Sequence, residues 1–478
     1  MGTKVVEICL GFVWRGRERD GISIRTLETQ QSEAQNHMMP AGGETAWTSI
    51  EELFERSFGS RSAAGHFPLL KRTEDERPEV KEFIERAFRL MAISKEVPKN
   101  ISPYLARFLG VTIPGLLPGA WGNVVPPLTY EDRHQQIDRY LATNPWGEFP
   151  DGTVLLEMGC GFPPQTALDV ARDFPRWQVI GADLRFDPYV LYDSEGNYAC
   201  MDSAGGVRYF QPGPSNRTTF LSLYNDQPAS FRHFGDLFAQ LREKLPVPKN
   251  GECTAVEYDG ARLVCNPIRS YERPNLTLIH AGLGEDVPPA NIIRVFNVLF
   301  YFDSAFRDRA EQWALRTLRP GGLLLCGGDG AKTLEARYSV YRKEHDTLVR
   351  KEFAFSIDNL RPPTVVTFFC LHDQEKETFE LAKLLGVLNS DQQFRAAYDL
   401  RLDELLAEKN ILLRQPDGFL ALPPDPLDPM AWMTARVEIH RRLAEEGFVD
   451  RAVSVLKRAG YHAWQNPVGH VAVEPTNM

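Results

Sequence analysis

Val154-Leu-Leu-Glu-Met-Gly-Cys-Gly-Phe-Pro-Pro164, followed by Val179-Ile-Gly-Ala-Asp183, sets in order a short apolar run, a glycine turn, a helix and a second apolar run ending in an acid. Val154 to Leu156 suit a parallel strand covered on both faces. Gly159 and Gly161 let the backbone turn sharply and approach a ligand with no Cβ atoms in the way. Pro164 fits the first turn of a helix whose Ala167, Val170, Ala171 and Phe174 repeat at the spacing of one buried face. Strand, turn, helix and strand in this order make one half of a doubly wound α/β sheet.

The turn also restricts its ligand. Asp183 stands at the carboxyl end of the second apolar run, where a carboxylate accepts the hydroxyl hydrogens of a ribose. A dinucleotide fold places its pyrophosphate on the N–H groups of the helix start. Here Pro163 and Pro164 have none to offer. A ribose-bearing ligand without phosphate fits better, and S-adenosylmethionine is such a ligand. Glu157 beside the turn would repel phosphate and suits the cationic end of that molecule. An NAD-dependent oxidoreductase on the same kind of sheet, and a glycine turn with no ligand, are the competing readings.

A second block follows at Asn291-Ile-Ile-Arg-Val-Phe-Asn-Val-Leu-Phe-Tyr-Phe-Asp303. Phe306, Ala310, Trp313, Ala314 and Leu318 then give a helix one apolar face, Pro320-Gly-Gly322 is expected to stop it, and Leu323 to Cys326 reads as a buried strand. With these elements the chain resembles the class I S-adenosylmethionine-dependent methyltransferase superfamily. The segment Phe296-Asn-Val-Leu-Phe-Tyr-Phe-Asp303 further resembles an element of the CheR-type protein-glutamate O-methyltransferases, and Gly260 to Cys265 with Leu276 to His280 is similar to what precedes it there. The resemblance covers residues 150 to 345. It implies that Glu157, Gly159, Asp183, Leu283 and Asn297 line S-adenosylmethionine, with Tyr301 close to the transferred methyl. Cys160, Gly161, Phe162, Leu184, Gly282 and Val298, their neighbours, complete the expected lining. The chain departs from that family in Gly161-Phe-Pro-Pro164, in lacking its Thr-x-Phe-Phe-Arg stretch, and in a long carboxyl-terminal region.

The 478 residues allow two or three domains, and apolar and charged fractions of 43% and 25% are those of a globular protein. A formal charge of -10 argues against a nucleic-acid partner, since phosphate binding needs a positive surface. The Asp/Asn-Pro-Pro-Tyr/Phe signature of amino-DNA methyltransferases does not follow the fourth strand. Arg15, Arg17 and Arg19 read as a solvated turn. Seven cysteines without C-x-x-C spacing suggest neither a disulfide framework nor a zinc site and fit a cytoplasmic protein. Val5 to Trp14 is too short to span a bilayer and lacks the flanks of a secretion signal, so no membrane association is expected.

Three regions follow from the composition shifts. Residues 1–128 read as a mostly helical cap, with apolar stripes at Ile50, Leu53, Phe54 and Phe58 and at Phe83, Ala87, Leu90 and Met91, expected to cover the cofactor cleft or to shape the substrate site. Residues 129–374 hold a Rossmann-like methyltransferase sheet, entered by a helix at Tyr130–Leu141. Its insertion, 187–275, is far longer than an ordinary connection and is a candidate for substrate selection, the alternative being a solubility or oligomer subdomain. The insertion carries strand-like pieces at Val190–Tyr198 and Val207–Phe210, a helix at Ser230–Lys244 and a hairpin turned at Asp259-Gly260. Tyr338–Glu352 reads as a helix and Thr364–His372 as the closing strand. Residues 375–478 read as an α+β extension: helices at Phe379–Leu388, Phe394–Lys409, Thr434–Gly447 and Val449–Gly460, then two short strands turned at Asn466-Pro-Val-Gly469.

Methyl transfer from a sulfonium is an in-line displacement helped by positioning in a dry cleft, and it needs no metal. A base is required only for a hydroxyl, amine or thiol acceptor, since a carboxylate is already nucleophilic at neutral pH. Tyr301, Asn297 and His280 are the catalytic candidates, and His233 in the insertion is a weaker one. The expected function is methyl transfer to a small molecule or a protein carboxylate, with O-methylation preferred. The alternative is a methyltransferase-like binding or scaffold protein. Oligomeric state is not legible in the sequence.

Overall fold

Leu155 to Met158 are all buried, on both faces of one strand: Leu155 packs into one apolar cluster, and Leu156 and Met158 into another on the opposite face. A strand covered on both sides in this way belongs at the centre of a sheet. The computed structural model describes residues 50–58, 78–98, 105, 131–143, 146–184, 186–211, 227–247, 252–265, 267–361, 376–421, 423 and 429–475. The apolar start Val5–Trp14, the Arg15–Arg19 stretch and the strand expected at Thr364–His372 lie outside these residues.

In chain order, helices α1 (Ile50–Phe58), α2 (Pro78–Ser94) and α3 (Gln135–Ala142) precede β1 (Val154–Met158), α4 (Gln165–Asp173) and β2 (Gln178–Asp183). The insertion contributes β3 (Tyr189–Tyr192), β4 (Tyr198–Met201), β5 (Val207–Gln211), α5 (Gln227–Arg242), β6 (Thr254–Tyr258) and β7 (Ala261–Cys265). The chain returns through β8 (Leu276–His280), β9 (Ala290–Phe296), α6 (Ser304–Thr317), β10 (Leu318–Gly328), β11 (Arg337–Glu344) and β12 (Thr347–Phe355). It ends with α7 (Lys376–Ser390), α8 (Gln392–Lys409), the short pair β13 (Leu413–Arg414) and β14 (Leu420–Ala421), α9 (Pro429–Glu445), α10 (Phe448–Arg458), β15 (Ala463–Gln465) and β16 (Val471–Val473).

The main sheet runs β15-β16-β12-β11-β10-β9-β1-β2-β8. Its parallel part, β8, β2, β1, β9 and β10, has the order 3-2-1-4-5 by first appearance, so the chain changes direction across the sheet between β1 and β9. This agrees with the α/β expectation. The insertion forms a separate antiparallel sheet, β5-β4-β3-β7-β6. The hairpin turns where expected: Asp259 (φ 50°) and Gly260 (φ 74°) are both left-handed, as a two-residue turn with matching twist requires. Helix α5 covers one face of this sheet with Phe234, Phe238 and Leu241.

Two expectations fail. Tyr338–Glu352 is not helical but belongs to the antiparallel pair β11–β12, with Glu344 opposite Thr347 across a turn where His345 is left-handed. Tyr338 and Val340 are buried on one face, but so are Arg337 and Ser339 on the other, because α7 brings Glu377 against them and Ser339 Oγ donates to its Oε1 at 2.6 Å. A buried face made of charged groups hid the two-residue period. Pro320-Gly-Gly322 does not stop α6 either: the helix ends at Thr317, and the motif makes an irregularity inside β10, with Gly321 at φ 75°.

Helices α1 and α2 pack with the carboxyl-terminal helices. Leu53, Phe54, Phe83, Phe88 and Met91 share one core with Leu381, Leu385, Leu405 and Leu456 of the carboxyl-terminal helices. Asn389 Nδ2 donates to the Ser94 carbonyl at 2.7 Å, joining α7 to α2. The final hairpin turns as expected and extends the main sheet, β16 pairing with β12. Among the described residues, no helix is long and apolar enough to cross a membrane.

Candidate cofactor-binding site

The carboxyl ends of the five parallel strands place Met158–Gly161, Asp183–Leu184, His280–Leu283, Asn297–Val298 and Asp329 along one edge of the sheet. In open α/β sheets the crevice at this edge, next to the reversal of strand order, is where ligands bind. Gly159 and Gly161 have φ of 72° and 70°. The Gly159 N–H donates to the Ala182 carbonyl at 2.8 Å, and a Cβ on Gly159 would stand 2.5 Å from Cγ2 of Val298. The Gly161 N–H donates to Asp183 Oδ2 at 2.8 Å, so the first and second strand ends are tied together.

His280 stands opposite Asp183 in the β2–β8 ladder and is exposed. Leu184 is 54% exposed, unusual for a leucine, and its side chain lies within about 3 Å of where a Cβ on Gly282 would be. The Gly282 N–H donates to Glu285 Oε2 at 3.1 Å, and the half-buried Leu283 packs against the apolar cluster that includes Met158 and Ala182. These groups offer a ribose a carboxylate and an adenine-like ring an apolar wall. The proline pair offers phosphate nothing. Among the described residues, no group of three His, Cys, Asp or Glu is placed to hold a metal.

Cys160 is buried, and burial first, then the charges of Asp183 and Glu157, push its thiol pKa up, so it is a small apolar wall residue. Phe162 is fully buried; its ring lies with Val190, Tyr198, Cys200 and Tyr209 of the insertion, and the Tyr209 hydroxyl donates to its carbonyl. Glu157 is buried and forms an ion pair with Arg294, which also pairs with Asp138. Burial pushes the Asp138 carboxyl up to about 6, against the pull of Arg294.

Asn297 is left-handed at φ 58° and is held by a reciprocal pair: its Nδ2 donates to Asp329 Oδ1 at 2.9 Å, and its Oδ1 accepts from the Asp329 N–H at 3.1 Å. The other oxygen of Asp329 lies 2.7 Å from His134 Nδ1, and Arg133 Nη2 donates to the Asp329 carbonyl at 3.2 Å. Tyr301 ends the short 3-10 turn Leu299–Tyr301; burial raises its pKa, Arg133 opposes this, and the phenol stays protonated at neutral pH. It is therefore a hydrogen-bond donor rather than a ready base. His233 lies within the insertion, 3.3 Å from Asp193.

Sequence reasoning missed Arg294, Asp138, His134, Asp329 and Tyr209. Two signals were present. Arg294 is a lone charge inside the apolar run Ile292 to Phe296, and Asp329 follows Gly327-Gly328 at a strand's carboxyl end, as Asp183 does.

No family model matches the chain, and no curated protein matches it. Solved structures with local similarity include the N-methyltransferase NodS from Bradyrhizobium japonicum, at 12% identity over 41% of this chain and 65% of that one, with a TM-score of 0.18. Another is an O-methyltransferase family 2 protein from Planctomyces limnophilus in complex with apigenin, at 15% identity over 59% of this chain and 75% of that one, with a TM-score of 0.21. A third is a precorrin-6y C5,15-methyltransferase from Geobacter metallireducens, at 10% identity over 41% and 60%, with a TM-score of 0.18. The chain spans less than two thirds of the length of NodS and of the Geobacter protein. Overlap at this level fixes neither the fold nor the chemistry.

Proposed function

We propose that the chain is an S-adenosylmethionine-dependent methyltransferase acting on a small molecule or a protein carboxylate, with O-methylation preferred. The observation that carries this reading is the glycine turn whose Gly161 N–H meets Asp183 at the carboxyl end of a 3-2-1-4-5 parallel sheet, followed by two prolines that cannot cradle phosphate. Asp183 and the glycine turn would hold the ribose, Leu184 and Leu283 the base. When bound, the cofactor supplies an electrophilic methyl group. The preference for oxygen rests on the resemblance of Asn297-Val-Leu-Phe-Tyr301, which brings Asn297 and the protonated Tyr301 to the strand end where an acceptor would be oriented. His280, exposed beside Asp183, is the remaining candidate base. Cysteines in the crevice and core that are free thiols, Cys160 and Cys326, support a reducing, cytoplasmic setting.

Calorimetry with S-adenosylmethionine and S-adenosylhomocysteine tests the reading. Wild type should bind both, and Asp183→Ala should lose two charge-assisted hydrogen bonds, about 2–4 kcal/mol or roughly 30- to 1000-fold in affinity. Binding of a dinucleotide in their place, or of neither, would overturn it.

A further inference from the structure

The insertion sheet has two faces, and only one is covered by its own helix. The other presents Val190, Tyr198, Cys200 and Tyr209 to Phe162, the residue that follows the second glycine of the turn. Phe162 is fully buried there, with its ring 5.6 Å from that of Tyr271 in an edge-to-face arrangement. The Tyr209 hydroxyl, on β5, donates to the Phe162 carbonyl.

The Gly161-Phe162 dipeptide is therefore clamped at both ends: its N–H donates to Asp183 and its carbonyl accepts from Tyr209. Gly159 and Gly161 permit the turn without imposing it, since glycine visits many backbone conformations. The following prolines bring no N–H groups with which the turn could lock itself. The amino-terminal side of the turn is tied to β2 through Ala182 and Asp183, and the bond that fixes its far end comes from the insertion. We infer that Tyr209 is a positioning residue for the cofactor: through the Phe162 carbonyl it sets the glycine turn, and through Gly161 the turn sets the carboxylate of Asp183. The insertion and the cofactor crevice then respond to each other, because whatever orders one end of the dipeptide orders the other. This rests on the cofactor reading above.

The test uses the full chain and S-adenosylhomocysteine as the probe. Tyr209→Phe keeps the ring and removes the donor, and its dissociation constant should rise about tenfold, the cost of one buried unsatisfied carbonyl. Tyr258→Phe, at an exposed position on the edge strand β6 of the same sheet, should bind as wild type does. In hydrogen exchange on the wild type, the probe should slow the amides of β4 and β5 together with Gly161. A Tyr209→Phe variant that melts lower but binds with unchanged affinity would make the bond merely structural and overturn the inference. Unchanged exchange in β4 and β5 would overturn it even if the variant failed to fold. Wild type that does not bind the probe at all would instead overturn the cofactor reading.

Discussion

Arg294 on β9 stands directly opposite Glu157 on β1, the two strands that flank the reversal of strand order, and its guanidinium pairs with Glu157 and, from α3, with Asp138. Arg294 is fully buried, and both carboxylates are nearly so. The Thr166 carbonyl accepts a further bond from Nη2 at 3.3 Å, so the first turn of α4 joins the same arrangement. The glycine turn sits between these two anchored elements. Its geometry depends on a buried triad of charges as well as on its own glycines.

Removing the cation alone should be severe. Arg294→Met would leave two carboxylates buried without a counter-charge, and loss of one partner from a buried ion pair costs about 3–5 kcal/mol. The triple variant Arg294→Met, Glu157→Gln, Asp138→Asn removes all the charges and should recover much of that loss. Urea unfolding of the two variants beside wild type measures both. A triple variant no more stable than the single one would show that the charges are not what the site depends on.

The same triad gives a pH dependence with a definite sign. The Asp138 carboxyl is raised from 3.8 to about 6, chiefly by burial. Between those values the native state keeps a proton that the unfolded chain releases, so this group's contribution falls as pH rises through the window and is constant above it. The gap corresponds to about 3 kcal/mol. Wild-type stability measured from pH 4 to pH 7 should decline more steeply, or rise less, than that of Asp138→Asn. Parallel curves would place the proton elsewhere.

The parallel half of the fold was legible because its signals are local: apolar runs of strand length, glycines at turns, a helix with one apolar face. Asp183 was legible for the same reason, standing at the end of a run where a carboxylate has one obvious use. Arg337, Ser339 and Glu377 show the opposite case. Their strand face is buried against a helix whose contact lies 38 residues away in sequence, between Ser339 and Glu377, and its polar composition imitates a surface. Phe162 was legible as a turn neighbour, yet its ring belongs to the insertion, because the sheet that receives it forms only from strands that extend to Cys265, far along the chain. Long-range pairing of this kind leaves no period in the sequence to read.

Gly159 provides the sharpest local test of the crevice. Its backbone is left-handed at φ 72°, and a Cβ would meet Val298 at 2.5 Å, closer than side-chain carbons approach one another. Gly159→Ala therefore combines backbone strain of about 1–2 kcal/mol with displacement of Val298, the residue next to Asn297. Where Val298 does not yield fully, the turn must move away from β9, which weakens the Gly159 N–H bond to Ala182 and shifts the Gly161 donor relative to Asp183. The variant should fold with reduced stability and bind S-adenosylhomocysteine at least tenfold more weakly, by roughly 1.4 kcal/mol or more. The double variant Gly159→Ala, Val298→Ala removes the clash but not the strain, and it should regain part of the affinity. Full binding by the single variant would mean that the ligand does not depend on the turn at all.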